Sequence, residues 1–259
     1  MQPLSDRAQA YRRAYDTQLR ARPAPGAHRV GPVLRRDGGA GPGFIVYRDL
    51  GGLDGDALDE FIAEQCAYFR TRGEAFEWKY HSHDLPEDLP QRLRTAGFVA
   101  EDQETVLIGP ATGMTDAPPL PEGVRLREVT ARRDLERIRE LQQSVWGGDQ
   151  SWLPDMLEQE LAGPDPCVVV VVETDDEVLC AGRINLHPGT EFGSIWGGST
   201  RQGWRGRGLY RATVGYRARL ALVRGYSYLQ VDASADSRPI LERLGMVPVA
   251  ITVPYLWRP

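Results

Sequence analysis

The residues Gly203-Trp-Arg-Gly-Arg-Gly208 have the types and spacing to hold a diphosphate. Glycines let a backbone approach an anion closely and adopt positive φ. Arg205 and Arg207 add charge and paired donors. The stretch that follows carries Leu209, Ala212, Thr213, Tyr216, Leu220 and Val223 at helical spacing. The first N–H groups of a helix have no intrahelical partner, and with the helix dipole they favour an anion. The loop therefore reads as a phosphate cradle. A P-loop would need Gly-Lys-Ser/Thr, which is missing. A dinucleotide fingerprint would need a third glycine where Arg211 stands. Taken alone, the loop could equally be a surface turn with solvated arginines.

The elements that must position this loop are legible on both sides of it. Residues 124–129 alternate as a strand would. Leu135, Ile138, Leu141 and Val145 recur at helical spacing, and a shorter helix is expected over residues 152–161. Cys167 and five consecutive valines predict a strand buried on both faces. A turn at residues 174–177 makes a hairpin with the strand ending at Leu186, and residues 192–200 form the strand before the loop. After the long helix come a strand at 228–232, a short helix from Ser237-Arg-Pro239 and a strand-like tail from Val247. The order is βααβββαβαβ, an α/β domain.

Prolines 118, 119 and 121 predict a short stiff linker within residues 109–123. We place a boundary there, giving lobes 1–118 and 119–259. The first half echoes the second. Arg72-Gly73, a strand to Tyr80, a helix through Arg94 and Ala96-Gly97-Phe98 match Arg224-Gly225, a strand, a helix and Leu244-Gly245-Met246. Before its helix the first half has only Gly51-Gly52-Leu53-Asp54-Gly55, so it reads as a degenerate half-copy. Residues 21–43, rich in Gly, Pro and Arg, read as irregular.

Of 31 Lys and Arg residues only Lys79 is a lysine, and Asn185 is the only asparagine. Such bias suits codon pressure in a GC-rich bacterial genome. A net charge of −5 argues against binding nucleic acid or an anionic membrane, which calls for a basic field. The average hides a local contrast: residues 201–224 hold seven arginines and no acid or lysine. Three cysteines make no disulfide framework or zinc motif, and no secretory leader or membrane-spanning run is visible. A cytoplasmic protein is expected.

With that context, Arg205-Gly206-Arg207-Gly208-Leu209-Tyr210 resembles the acetyl-CoA signature of the GNAT N-acetyltransferase superfamily, Arg/Gln-x-x-Gly-x-Gly/Ala. The likeness extends from Ser199-Thr200 through Arg217, Ala221, Arg224-Gly225, Ala233 and Ser237 to Leu244-Gly245, in the family's element order. It implies a mixed central sheet flanked by helices, with an incomplete second GNAT-like lobe at the N-terminus. It implies acetyl-CoA as cosubstrate, its pantetheine arm paired with Gly198, Ser199 and Thr200. Arg205, Gly206, Arg207, Gly208, Leu209 and Tyr210 would hold the pyrophosphate, with Ser237 also on the cofactor. The activity implied is transfer of an acetyl group to a primary amine of a small molecule or peptide by direct attack. An ammonium must first lose a proton. Asp232 is the candidate base, with a cap or turn residue as its alternative role, and Ser234 and Tyr255 are candidate relays.

Two positions depart from the family. Tyr210 replaces the last small residue of the signature, and its side chain is expected to point away from the phosphates. Leu241 occupies the place of a tyrosine that protonates the leaving thiolate. That departure, with no obvious base, keeps a non-catalytic acyl-CoA-binding or ligand-sensing protein open. So does a CoA-thioester decarboxylase or an acyl-tRNA-dependent transferase on the same scaffold.

Trp146, Trp152 and Trp196 are candidates for an acceptor pocket, with core packing as the alternative. His81-Ser-His83-Asp84 has metal-like spacing but no further ligands, and reads as polar surface or domain-interface residues. The N-terminal lobe is expected to cover the acceptor site or to mediate a homodimer.

Overall fold

The computed structural model describes residues 4–23, 26–39 and 41–259. Its elements are α1 (Asp6–Tyr15), β1 (Ala27–Val30), β2 (Val33–Arg36), β3 (Gly43–Val46), α2 (Gly55–Arg72), β4 (Phe76–His81), α3 (Leu89–Thr95), β5 (Val99–Ala100) and β6 (Glu104–Pro110). There follow β7 (Arg125–Val129), α4 (Arg132–Trp146), α5 (Leu153–Ala162), β8 (Cys167–Glu173), β9 (Val178–Leu186) and β10 (Phe192–Thr200). The chain ends with α6 (Leu209–Val223), β11 (Tyr228–Ala233), α7 (Arg238–Arg243) and β12 (Val247–Trp257).

Two compact units result. Residues up to 107, with 232–239 and 248–259, make the first; 108–231 and 240–247 make the second. A cut at 118/119 would assign the last two stretches of the first unit to the second lobe. They pack with the first because β12 pairs antiparallel with β4 and β5. A strand's partner lies wherever its edge is satisfied, and sequence distance does not set it.

The first unit has a mixed sheet. β1, β2 and β3 are antiparallel in turn, β3 and β4 are parallel, and β12 follows β4. Helix α2 presents Leu58, Ile62, Cys66 and Phe69 to Ile45, Phe76, Trp78, Tyr255 and Trp257 in one apolar cluster. Residues 27–36, expected to be irregular, form the β1–β2 hairpin; residues 24, 25 and 40 lie outside the described residues. Four-residue strands rich in Arg give too short a period-two signal to outweigh their Gly and Pro neighbours.

The second unit runs β7-β8-β9-β10 antiparallel, then β11 parallel to β10. The valines of β8 divide between faces as expected. Val169 and Val171 pack under α4 and α5 with Leu135, Ile138, Leu141, Leu153 and Leu157. Val172 packs with Leu179, Cys180 and Leu209 of α6. Residues 114–118, expected to be a linker, lie against α6. A Cβ on Gly208 would stand 2.6 Å from Pro118 Cγ, and one on Gly215 3.0 Å from Ala117 Cβ. Glycines seven apart share one helix face, and here they make the groove that takes the segment.

The echo between the halves is a repeat of backbone geometry. Gly73 and Gly225 end α2 and α6 at φ 66° and 86°. The following N–H groups return to the helix, Glu74 to Phe69 O and Tyr226 to Ala221 O. Gly97 and Gly245 end α3 and α7 at φ 91° and 92°, with Phe98 bonded to Leu93 O and Met246 to Leu241 O.

Candidate functional site

Strand β10 pairs with β11 through Phe192↔Tyr228, Gly193↔Leu229 and Ser194↔Gln230, and the register stops there. β10 runs on to Thr200, held by β9 at Ser199↔Ala181 and Thr200↔Cys180, with a bulge between Trp196 and Ser199. From Ile195 onward, the edge of β10 that faces away from β9 has left the ladder. Backbone groups on such an edge suit an extended ligand that completes the hydrogen bonding.

The strand leads straight into the glycine loop. Gly206 and Gly208 hold φ 76° and 80°. That region penalises residues with a side chain. Gly208 is the N-cap of α6 and brings no side chain, so the first-turn N–H groups face outward. Arg207 lies over the Trp204 ring, 4.7 Å from its centroid, and Arg205 Nε reaches Thr200 O at 3.4 Å. Both arginines are exposed. Three of the other local cations are engaged. Arg201 pairs with Glu177 at 3.0 Å, and Arg219 donates to Thr115 O. Arg217 is 1% exposed and donates to Arg183 O, Thr213 O and Thr213 Oγ1. Burial holds its pKa below the usual arginine value.

Tyr210 turns inward, toward β10. Its ring lies on β10, and a Cβ on Gly198 would stand 2.6 Å from Cε2. The small residue of the signature is thus found on the strand, and the large one on the helix.

The first unit has a counterpart of this cleft, and its own residues fill it. β3 and β4 pair through Gly43↔Phe76, Phe44↔Glu77 and Ile45↔Trp78, again three positions. Beyond them Arg20 Nη2 donates to Tyr47 O at 3.0 Å and to Asp84 Oδ1 at 2.7 Å. Asp84 Oδ2 accepts from the His81 N–H at 2.9 Å and from Tyr47 Oη at 2.7 Å. His81 and Asp84 are 4% and 5% exposed, so Arg20, Tyr47, His81 and Asp84 form an interior network, and the surface reading does not hold for His81 and Asp84. Burial, with Arg20 and Lys79 nearby, depresses the His81 pKa well below the ordinary histidine value. The helix start is closed as well: the Asp54 carboxylate accepts the Gly55 N–H at 2.7 Å, and Asp56 sits in the first turn. Carboxylates there take the place an anion would need.

Both units share an architecture with solved structures. A GCN5-related N-acetyltransferase from Kribbella flavida superposes with a TM-score of 0.66 at 18% identity, over 97% of this chain and 95% of that one. The chain has a GNAT-like fold. A GCN5-related N-acetyltransferase from Sphaerobacter thermophilus gives 0.58 at 14% identity, over 88% and 76%. A tandem GNAT protein from the clavulanic acid biosynthesis pathway gives 0.60 at 13%, over 93% and 85%. No family profile and no curated protein matches the sequence.

Within the GNAT-like fold, the cofactor candidates Gly198, Ser199, Thr200 and Arg205 to Tyr210 are brought together in the second unit. The base and relay candidates, and with them the cofactor candidate Ser237, belong to the first. Asp232 Oδ2 accepts from Lys79 Nζ at 2.7 Å, and the Asp232 side chain is 2% exposed. Burial works against the Lys79 ammonium, but Asp232, Glu77 and Glu104 outweigh it and hold its pKa above the usual lysine range. Burial pushes the Glu104 carboxyl up, to about 7, against the pull of Lys79. Ser234 and Ser237 bond each other, Oγ to Oγ at 3.2 Å. Tyr255 is in the core cluster, and its hydroxyl accepts from Arg94 Nη2 at 3.1 Å. Leu241 is fully buried.

Trp146 and Trp152 flank the turn between α4 and α5 and are 53% and 41% exposed, which removes the core alternative. Trp196 is half-buried in β10, opposite Arg183 of β9. Two features escaped sequence reasoning. One is Lys79, whose signal was its uniqueness among thirty arginines. The other is Arg183 with Glu160, 2.7 Å apart beside the bulge. Polar Arg183 and Asn185, two apart in the apolar run of β9, were the available signal.

Among the described residues, no helix is long and apolar enough to cross a membrane.

Proposed function

We propose that this chain is an acetyl-CoA-dependent N-acyltransferase acting on a primary amine of a small molecule or peptide in the cytoplasm. One observation carries the reading: β10 leaves β11 after Ser194 and runs directly into the loop and bare start of α6. An acyl-CoA laid there would place its pyrophosphate on the first-turn N–H groups of α6, beside Arg205 and Arg207. Its pantetheine arm would pair with Gly198, Ser199 and Thr200, which puts the acyl group at the bulge. In the reaction the amine nitrogen gives up a proton and forms the C–N bond. The C–S bond breaks, and CoA leaves as the thiol. Backbone N–H groups freed by a bulge are suited to the developing oxyanion.

The engagement of Asp232 with Lys79 supports a structural role for this pair. With Leu241 apolar, it also keeps the acyl-CoA-sensing alternative specific. Calorimetry with acetyl-CoA, followed by thiol release across a panel of amines, tests both. Absence of binding at millimolar acetyl-CoA would sink the cofactor reading. Binding without amine-dependent thiol release would favour the sensor.

A further inference from the structure

An ion pair borders the β10 bulge on the face covered by α4 and α5. Arg183 Nε lies 2.7 Å from Glu160 Oε2, and Nη2 donates to Oε1 at 3.4 Å. Nη2 also meets Met156 Sδ at 3.9 Å. Nη1 lies on the side of the bulge, 3.0 Å from the point a Cβ on Gly197 would occupy. Among the described residues it has no hydrogen-bond acceptor. Gln142 Nε2 lies 3.2 Å from the same point and donates to Gly197 O at 3.3 Å. On the other side of the pair, Glu160 Oε2 is steadied by Asn185 Nδ2 at 3.3 Å and faces Cys167 Sγ at 3.7 Å. The Arg183 and Glu160 side chains are 15% and 27% exposed. A ligand can reach them, while water screens them less than it would on an open surface.

The inference rests on the reading that β10 seats an acyl-CoA. The acyl carbon then lies at the bulge, and the attacking nitrogen must arrive beside Arg183 and Glu160. A simple ammonium would meet the Arg183 cation at that point. The pair as a whole is neutral, yet it offers one unbonded cationic nitrogen and one weakly engaged carboxylate oxygen. That pattern is the complement of a zwitterion. A dianion such as a phosphate ester would find no net positive charge to balance it.

We propose that the acceptor is an amine bearing its own carboxylate, an amino-acid-type zwitterion. Arg183 Nη1 and Gln142 Nε2 receive its carboxylate, and Glu160 faces its ammonium. Arg183 is then the specificity-determining residue of the site.

The test uses the full chain, acetyl-CoA and matched trios of acceptor: phenylalanine, phenylalaninamide and phenethylamine, and the alanine series likewise, with a phosphonate analogue as a further arm. A charge-assisted contact to Arg183 should favour the acid over the amide by roughly 10- to 100-fold in kcat/KM. Arg183→Gln should bring that ratio close to one. The ratio is independent of the folded fraction, so partial unfolding of the variant does not obscure it. Tryptophan fluorescence of the CoA-loaded chain should report saturable binding of phenylalanine and not of phenethylamine. Equal use of acid and amide by the parent chain would overturn the proposal, as would preference for the phosphonate. Acetyl-CoA binding with no amino-acid binding or turnover would overturn it and leave the cofactor reading standing. Failure to bind acetyl-CoA in calorimetry would remove both.

Discussion

Tyr210 of α6 lies on Gly198 of β10, so close that a methyl group on the glycine would stand 2.6 Å from ring carbon Cε2. The helix keeps a large residue in its first turn because the strand has none at the facing position. Gly198→Ala should therefore force the ring away and destabilise the second unit by about 1–3 kcal/mol. Adding Tyr210→Ala should recover part of that loss. Denaturant unfolding of the two single variants and the double variant measures the coupling; strictly additive losses would refute the contact's role.

Arg205 and Arg207 are exposed at the start of α6, away from the core. Replacing both with Ala should weaken acetyl-CoA binding by roughly 10- to 100-fold, with steeper loss at low salt than at high. The melting temperature should scarcely move. Calorimetry at two ionic strengths and a thermal scan decide the matter, and an unchanged affinity would detach these residues from the cofactor.

Arg20 occupies the first unit's cleft, so calorimetry should return one acetyl-CoA site per chain. Its side chain is 3% exposed and that of Asp84 1%, with the carboxylate left uncompensated if Arg20 goes. Arg20→Ala should cost about 3–5 kcal/mol. Urea unfolding of the variant checks this, and a cost below about 1 kcal/mol would show that the network is not holding the cleft shut.

Two carboxyl environments give opposite pH dependences. Hydrogen bonds from Arg127 hold Asp134 and Glu173 below the ordinary carboxylate range. Their contribution is complete above the unfolded value, about 4, and is lost as pH falls through their lowered values. Glu104 is the reverse case. Burial raises its carboxyl to about 7, so the folded state keeps a proton that the unfolded chain has released. Stability then falls as pH rises from about 4 to about 7. Glu104→Gln should raise the melting temperature relative to the parent at pH 8 and lose that advantage at pH 4. A parallel shift at both pH values would refute it.

The second unit was legible because its signals are local and long. The valine run, the nine-residue β10 and the helix behind the glycine loop each fill a whole period of their element. The β1–β2 hairpin was hidden because four residues among Gly, Pro and Arg hold too little periodicity. The tryptophans could be named but not assigned to core or surface, since an aromatic side chain serves either place. Asp232 stands out by its position near the end of a strand, and nothing in its neighbourhood of sequence points to Lys79, 153 positions away.

By itself the sequence determined the backbone geometry of the glycine loop. Glycines at 206 and 208, two arginines and a helix start are adjacent in the chain and act through the backbone they belong to. It also determined the internal echo, since a glycine that ends a helix must follow that helix directly. The tertiary structure alone decided which unit owns β12, why the first cleft is filled, and where Arg183 meets Glu160. Each of these depends on groups brought together across distant stretches of chain. Whether a cation becomes a plug, a structural pair or a binding group is set by the partner it finds there.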